Sequence, residues 1–204
     1  MHLVDQRVLG IGILALLGTL VAVKRAATGS VVDRPEGNLM VQFVNAFNLF
    51  FLLVVNPLAA ILLITRQFAA IDPAHVSIAD PRMVIAVELT GFVTYVTGFF
   101  LMAWALLTLG RSYQLGGSAP RSGDEMVTGG PYRLVRHPMY TAALSISLGL
   151  ACLVQSWVFF CVFCAYAVLV LLLIPMEEDG LRKAYGERYR AYERNTKKVV
   201  PFAY

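Results

Sequence analysis

Five apolar stretches, each close to the length of a bilayer-crossing helix, limit this chain to one class of fold. A hydrocarbon core about 30 Å thick is spanned by about 20 helical residues, each rising about 1.5 Å. Of the 204 residues, 58% are hydrophobic and only 15% are charged. We therefore predict an all-α integral membrane protein with about five transmembrane helices, at residues 8–23, 41–64, 83–109, 139–154 and 158–174.

The first and the last of these stretches carry further information. The first is interpreted as a retained span rather than a cleaved leader, because its positive charges, Lys24 and Arg25, follow the apolar run. The last two stretches are short and are separated only by residues 155–157. They are therefore predicted to form a helical hairpin.

The positive charges are distributed unevenly over this topology. Only Arg7, Arg66 and Arg82 of the 17 Lys and Arg residues fall on the side of the N-terminus. Because Lys and Arg accumulate in cytoplasmic segments, we expect a multi-pass protein with its N-terminus outside and its C-terminus in the cytoplasm. The formal net charge of +4 follows from this topology, so a nucleic-acid partner is not expected.

The stretch GGPYRLVRHPMYTAAL, which begins at residue 129, leads directly into the fourth apolar run. Pro138 suits the first position of a helix, where its missing N–H is no loss, and His137 then stands at the cap. A helix N-terminus offers free N–H donors and partial positive charge to a carboxylate or phosphate, and Tyr140 lies one turn further on. The pattern predicts an anion-binding site at this helix start.

A plainer interpretation is that Arg133 and Arg136 anchor the loop to anionic lipid headgroups. It explains the arginines, but it does not explain why Gly, Pro, His and Tyr occur together with them. Both interpretations stay open at the level of composition.

The tail after Pro175 supplies acidic residues. Glu177 and Glu178 stand where the fifth helix is expected to end, and acidic residues at a helix C-terminus oppose its dipole. A cationic partner would relieve this, either Arg182 by i, i+4 pairing or a bound ammonium group. A C-terminal amphipathic helix on the cytoplasmic side is indicated by the helical spacing of Leu181, Tyr185, Tyr189 and Tyr192. A ligand with a carboxylate and an ammonium group is an amino acid or a derivative of one.

At these residues the chain resembles a known family. The motif VTGGPYRLVRHPMY, followed by PMEEDGLRKAYGERYRAY and VPF, resembles the isoprenylcysteine carboxyl methyltransferases, which are related to phospholipid methyltransferases. The resemblance covers roughly residues 105–203. It implies an integral membrane methyltransferase that uses S-adenosylmethionine and acts on a lipophilic, isoprenoid or lipid-like acceptor among the membrane lipids. Residues 1–109 would form a three-helix membrane region and residues 110–204 the cofactor-binding core.

The resemblance also implies a set of cofactor-binding residues, and it assigns no catalytic residue and no metal. Prenylcysteine methyltransferases carry an arginine four residues before the glutamate for the substrate carboxylate, whereas this chain has Leu173 there. The implied cofactor residues are Asp124, Glu125, Met126, Val127, Tyr132, His137, Pro138, Met139, Tyr140 and Glu177.

Alternatives remain for several residues. Membrane sterol reductases, which use NADPH, are similar at RHP-x-Y but differ in the tail, and a scaffold without activity would keep the fold alone. Cys161 and Cys164 have C-x-x-C spacing, yet within an apolar helix they are interpreted as small buried residues rather than metal ligands. Glu88, the acidic residue inside a predicted span, is expected to hydrogen-bond an asparagine and to fix helix packing.

Overall fold

The computed structural model describes residues 4–32, 39–110 and 125–200, and these residues form helices and connecting turns without a strand. The helices, numbered in chain order, are α1 (Gln6–Thr28), α2 (Leu39–Phe50), α3 (Asn56–Ile64), α4 (Phe68–Ile71), α5 (Pro81–Leu109), α6 (Pro138–Val154), α7 (Trp157–Tyr185) and α8 (Glu187–Asn195). A π-helical segment, Phe51–Val55, joins α2 to α3, and a 3-10 turn, Gly130–Arg133, precedes α6.

All five predicted apolar helices are present, so the all-α prediction is confirmed for the described residues. Four helical stretches are long and apolar enough to cross a membrane: Gln6–Thr28, Leu39–Ile64, Pro81–Leu109 and Trp157–Tyr185. The helix Pro138–Val154 is apolar but shorter. A count of five spans therefore stays a prediction.

The predicted hairpin of the last two apolar helices is confirmed. Gln155 takes a left-handed conformation after α6, and the Ser156 side chain accepts a hydrogen bond from the Phe159 N–H at the start of α7. The loop before α5 covers this turn, since the N–H of Val76 donates to the Gln155 carbonyl at 2.7 Å. The turn lies at the end of the bundle opposite the motif around His137.

Close approach of α5 and α6 holds the centre of the bundle together. A side-chain carbon added to Gly149 would lie 2.5 Å from the backbone nitrogen of Tyr95, and one added to Gly98 would lie 2.9 Å from the Ala142 carbonyl oxygen. Both glycines therefore let the two backbones touch, as small residues do between membrane helices. The rings of Tyr95 and Phe99 pack into the core beside this contact.

The second apolar stretch changes its winding just before Pro57, which lacks an N–H and disrupts regular helix. The backbone N–H and the side-chain amide of Asn56 both donate to the Phe51 carbonyl, which closes the π-helical segment. The Tyr95 hydroxyl in turn donates to Asn56 Oδ1 at 2.7 Å. The chain thus accommodates Pro57 in the first turn of α3, directly after this π segment.

The predicted end of the fifth helix was wrong. The helix α7 continues through Pro175 to Tyr185 and breaks at Gly186, which adopts a positive φ of 56°. Glu177 and Glu178 thus lie within a helix rather than at its C-terminus, and the tail predicted as one amphipathic helix is divided between α7 and α8. The chain stays helical beyond the apolar run because its basic and acidic side chains there pair with one another and with residues of the tail.

Two further expectations needed correction. Glu88 is buried as a structural residue, but it accepts a hydrogen bond from Gln155 Nε2 at 3.2 Å rather than from an asparagine. Cys161 and Cys164 face outward from α7 instead of being buried, because no described part of the chain covers this face of the helix.

Candidate functional site

A cavity of about 280 Å³ lies at the end of the bundle where α6 begins and α7 ends. Its wall combines polar side chains from the motif, α7 and α8 with apolar side chains from α1, α2 and α5, and Lys24, Asn45 and Asn48 add polar groups from α1 and α2. The cavity is therefore mainly polar on one side and mainly apolar on the other.

The polar wall starts where α6 starts. Pro138 is the first residue of the helix and His137 is its cap, as predicted. The His137 and Tyr140 rings stack with their centroids 5.7 Å apart. The Tyr140 hydroxyl donates to Glu177 Oε2 at 2.8 Å, so α6 and α7 are joined across the cavity wall.

Glu178, the neighbour of Glu177, is fully buried and forms the electrostatic centre of the site. Its Oε1 accepts from Arg136 Nε at 2.8 Å and lies 3.3 Å from His137 Nε2. Its Oε2 lies 3.6 Å from the Arg182 guanidinium and 3.5 Å from Lys198 Nζ. A buried carboxylate requires such compensation, and the predicted Arg182 pairing is confirmed as one part of it.

Sequence reasoning assigned Glu177 to the site and missed both Glu178 and Arg136. Ile174, Glu178 and Leu181 recur at helical spacing along α7, and the first two are completely buried. Extending the apolar stripe of α7 by one turn would have placed Glu178 inside the protein, where it requires a cation. For Arg136 the sequence leaves a lipid anchor open as one interpretation, but its side chain is buried in the ion pair with Glu178.

The tail after α8 closes this side of the site. The N–H groups of Arg136 and His137 donate to the carbonyls of Lys197 and Lys198 at 2.7 and 2.9 Å. The Arg136 guanidinium donates to the carbonyls of Glu193, at 3.0 Å, and Thr196. The tail strap, defined here as residues 196–199, therefore runs beside the residues that precede α6.

Two tyrosines of α8 complete the wall. Tyr189 is almost fully buried, and the Tyr192 hydroxyl donates to the Tyr132 carbonyl at 2.6 Å. Burial raises the pKa of both tyrosines, so their hydroxyls remain neutral donors near neutral pH. Glu193 behaves oppositely: its pKa is lowered because the Arg182 side chain hydrogen-bonds its carboxylate, with Nε 3.0 Å from Oε2.

The predicted cofactor residues that the structure describes are brought together, while Asp124 lies outside the described residues. Gly129 and Gly130, which lie between the lining residues Val127 and Tyr132, do not line it. The residues of the prediction that line the cavity are Glu125, Met126, Val127, Tyr132, His137, Pro138, Met139, Tyr140 and Glu177.

The cavity also contains residues that sequence reasoning did not assign. Leu20, Val21 and Lys24 come from α1, and Asn45 and Asn48 come from α2. Leu173, four residues before Glu177, does not line the cavity and is fully buried in a cluster with Val41 and Val44 of α2. No charged side chain stands at that position.

Comparison with known proteins identifies similarity over the second half of the chain. The family described as phospholipid methyltransferase matches residues 87–188. Protein-S-isoprenylcysteine O-methyltransferases B and A of Arabidopsis thaliana are 30% and 32% identical over 117 and 120 residues, which is 55% of this chain and 58% of each relative. The cobalt-zinc-cadmium resistance protein CzcN of Cupriavidus metallidurans is 31% identical over 102 residues, 50% of this chain and 47% of that protein.

The matched parts thus span about half the length of these curated relatives. The matching family and two of the three relatives are described as methyltransferases, and the reductase alternative receives no support from them.

Proposed function

The chain belongs to the phospholipid methyltransferase family, and from this premise we propose that it is an S-adenosylmethionine-dependent membrane methyltransferase acting on a lipophilic acceptor. The observation that carries the proposal is the single cavity in which the polar residues of the family-matched segment meet an apolar wall from α1 and α2. A polar methyl donor and an apolar acceptor require such a two-sided site.

The polar wall fits S-adenosylmethionine in charge and shape. Glu177 offers a carboxylate to the cofactor's ammonium group, and Tyr140 holds that carboxylate in place from the other side. The N-terminus of α6 offers free N–H groups to the cofactor's carboxylate. Met126, Val127 and the tyrosines of α8 supply surfaces for its less polar part.

When bound, S-adenosylmethionine supplies a methyl group on a positively charged sulfur, from which the acceptor's lone pair takes it as S-adenosylhomocysteine leaves. The residues of this chain orient the two molecules and exclude water, which contributes up to about 7–11 kcal/mol in favourable cases. Glu178 keeps its charge away from the reaction because it is bound to Arg136 and His137. Its role is to hold the His137 ring against Tyr140.

The apolar wall supports a lipid-like acceptor. Its apolar residues are mainly leucines of α1, α2, the π-helical segment and α5. Four residues before Glu177, where prenylcysteine methyltransferases carry the arginine for the substrate carboxylate, this chain has the buried Leu173. We therefore do not assign a prenylcysteine acid as the acceptor.

We place the site at the cytoplasmic face and the N-terminus outside. The ends of α1, α5 and α7 and the start of α6 share the end of the bundle that carries most of the positive charge. Cytoplasmic segments accumulate Lys and Arg, which supports this orientation of an integral multi-pass protein.

Calorimetric titration of the purified, detergent-solubilised protein with S-adenosylhomocysteine, and separately with NADPH, tests the proposal. Saturable binding of the homocysteine conjugate is expected, weakened at least tenfold by His137→Ala and by Glu177→Ala. Glu187→Ala is the matched control, because this exposed acid lies on α8 outside the cavity. Binding of NADPH alone, or equal binding by all variants, would refute the proposed site.

A further inference from the structure

We propose that the acceptor presents a hydroxyl group to the side-chain amides of Asn45 and Asn48 and lays its apolar chain in the gap between α1 and α2. The inference rests on the proposed function and names the acceptor class for the same site. Both helices precede residues 87–188, the segment that matches the family. Family membership therefore does not describe this part of the cavity.

The two amides lie on one face of α2. Asn45 and Asn48 are separated by three residues, which places them one above the other on a helix, and both line the cavity. Asn45 is only 3% exposed. Polar groups inside an apolar membrane-length helix are costly and commonly mark a substrate pathway.

The gap between α1 and α2 supplies the space for a chain. The first half of α1 packs closely on α3, where a side-chain carbon added to Gly10 would lie 2.5 Å from the Ala60 carbonyl oxygen. Towards the cavity the described parts of α1 and α2 have little contact, and Val21 and Leu52 line the space between them. Leu53 lines the same cavity and is 37% exposed, so the gap reaches the outer surface of the bundle.

The π-helical segment shapes this gap. It places Phe51, Leu52 and Leu53, three successive residues, along the cavity wall. Such segments occur frequently at functional sites. Here it turns a continuous strip of apolar side chains towards the space beside α1.

A hydroxyl matches the amides better than a charged group does. An amide both donates and accepts, as a hydroxyl does, whereas a carboxylate only accepts and an ammonium group only donates. Arg136 is bound to Glu178 and to tail carbonyls, so it serves the fold rather than an anionic acceptor. Lys24, which donates to the Ser30 carbonyl at 3.4 Å, makes an anionic acceptor the competing outcome of the test.

The reaction balances without a base from the protein. Methyl transfer forms a carbon–oxygen bond and breaks the sulfonium carbon–sulfur bond, whose electron pair stays on sulfur. The hydroxyl proton is released to solvent, because in the proposed site Glu177 is already bound to the cofactor's ammonium group and accepts from the Tyr140 hydroxyl at 2.8 Å. The products are a methyl ether, S-adenosylhomocysteine and a solvated proton.

A matched series of acceptors tests the head group. The protein in lipid nanodiscs is incubated with methyl-tritiated S-adenosylmethionine and 4-dodecylphenol, 4-dodecylbenzoic acid or 4-dodecylbenzylamine. Transfer to the phenol is expected to exceed transfer to the acid and the amine at least tenfold. Asn45→Leu and Asn48→Leu should each lower transfer to the phenol at least tenfold, while Gln42→Leu, an exposed amide of α2 outside the cavity, should leave it unchanged.

The gap is tested by filling it. Leu53→Trp should lower transfer to 4-dodecylphenol but not to 4-ethylphenol, whereas Val54→Trp, on the adjacent outward-facing position, should affect neither. Preference for the acid or the amine, no transfer to the phenol, or equal behaviour of the asparagine and Gln42 variants would overturn the inference. Calorimetric titration of each variant with S-adenosylhomocysteine distinguishes failure of this inference from failure of the proposed function. If the unmodified protein does not bind S-adenosylhomocysteine, the proposed function itself is wrong.

Discussion

Glu178 and Glu177 are adjacent in the chain, yet we propose a structural role for the first and a cofactor-binding role for the second, and a pair of substitutions separates these roles. Glu178→Gln keeps the shape of the side chain but removes a fully buried charge that compensates Arg136. Glu177→Gln removes a partly exposed charge on the cavity wall. We expect the first change to reduce stability and the second to reduce cofactor affinity.

The size of the stability effect follows from the contacts. Arg136 is buried, and without Glu178 its closest carboxylate oxygen among the ion pairs is Glu193 Oε1 at 3.8 Å. Removing one partner of a buried ion pair lowers the free energy of unfolding by about 3–5 kcal/mol. Because glutamine keeps a hydrogen-bond acceptor, we expect a loss at the lower end of this range, about 3 kcal/mol. For a chain of this length, 1 kcal/mol corresponds to about 2–4 °C in Tm. The Glu178→Gln protein should therefore melt about 6–12 °C below the unmodified protein.

Thermal unfolding monitored by intrinsic fluorescence in detergent, at one heating rate for all variants, measures this effect. Glu187→Gln is the control, since its carboxylate is 76% exposed in an ion pair with Arg190 and surface pairs contribute about 0–1 kcal/mol. Glu177→Gln should melt with the control but bind S-adenosylhomocysteine at least tenfold more weakly. Two results would refute the assignment of roles. One is a Glu178→Gln protein with the same Tm as the control, and the other is a Glu177→Gln protein whose Tm falls by about 6–12 °C, as expected for Glu178→Gln.

Two further predictions concern packing and pH. Gly149→Ala should lower Tm by several degrees in the same assay, because the new carbon would lie 2.5 Å from the Tyr95 backbone. Gly12→Ala, with open space around it, should not lower Tm. Equal effects of the two substitutions would contradict the close contact between α5 and α6. Arg182 lowers the pKa of Glu193 in the folded protein below its ordinary value of about 4.5. The ion pair therefore stabilises the tail fully at pH values above 4.5, and this stabilisation is lost as the pH falls through the lowered pKa of the folded protein. Hydrogen exchange of residues 196–199 should rise over that range in the unmodified protein and show no such step in Glu193→Gln.

Local signals in the sequence were sufficient for much of the fold. Pro138 and the cap at His137 specify where α6 begins, because proline tolerates the first helical position. The short link after Val154 leaves no alternative to a hairpin. These features depend on a few neighbouring residues, which is why a single sequence reveals them.

Long-range contacts could not be obtained in the same way. Arg136 pairs with Glu178 over 42 residues and reaches the Thr196 carbonyl over 60, and no periodicity connects such positions. The extension of α7 to Tyr185 was missed for a related reason. Its last turns are charged, and their helical geometry is stabilised by tertiary ion pairs rather than by an apolar stripe.

The tail strap gives the site an order of assembly. The residues that precede α6 find their backbone partners in residues 197 and 198, which a ribosome makes only after all five apolar helices. During synthesis the helices can therefore enter the membrane while the polar wall is still incomplete. The wall that we propose holds the methyl donor is therefore completed only after the five apolar helices have been made, when their insertion is already decided.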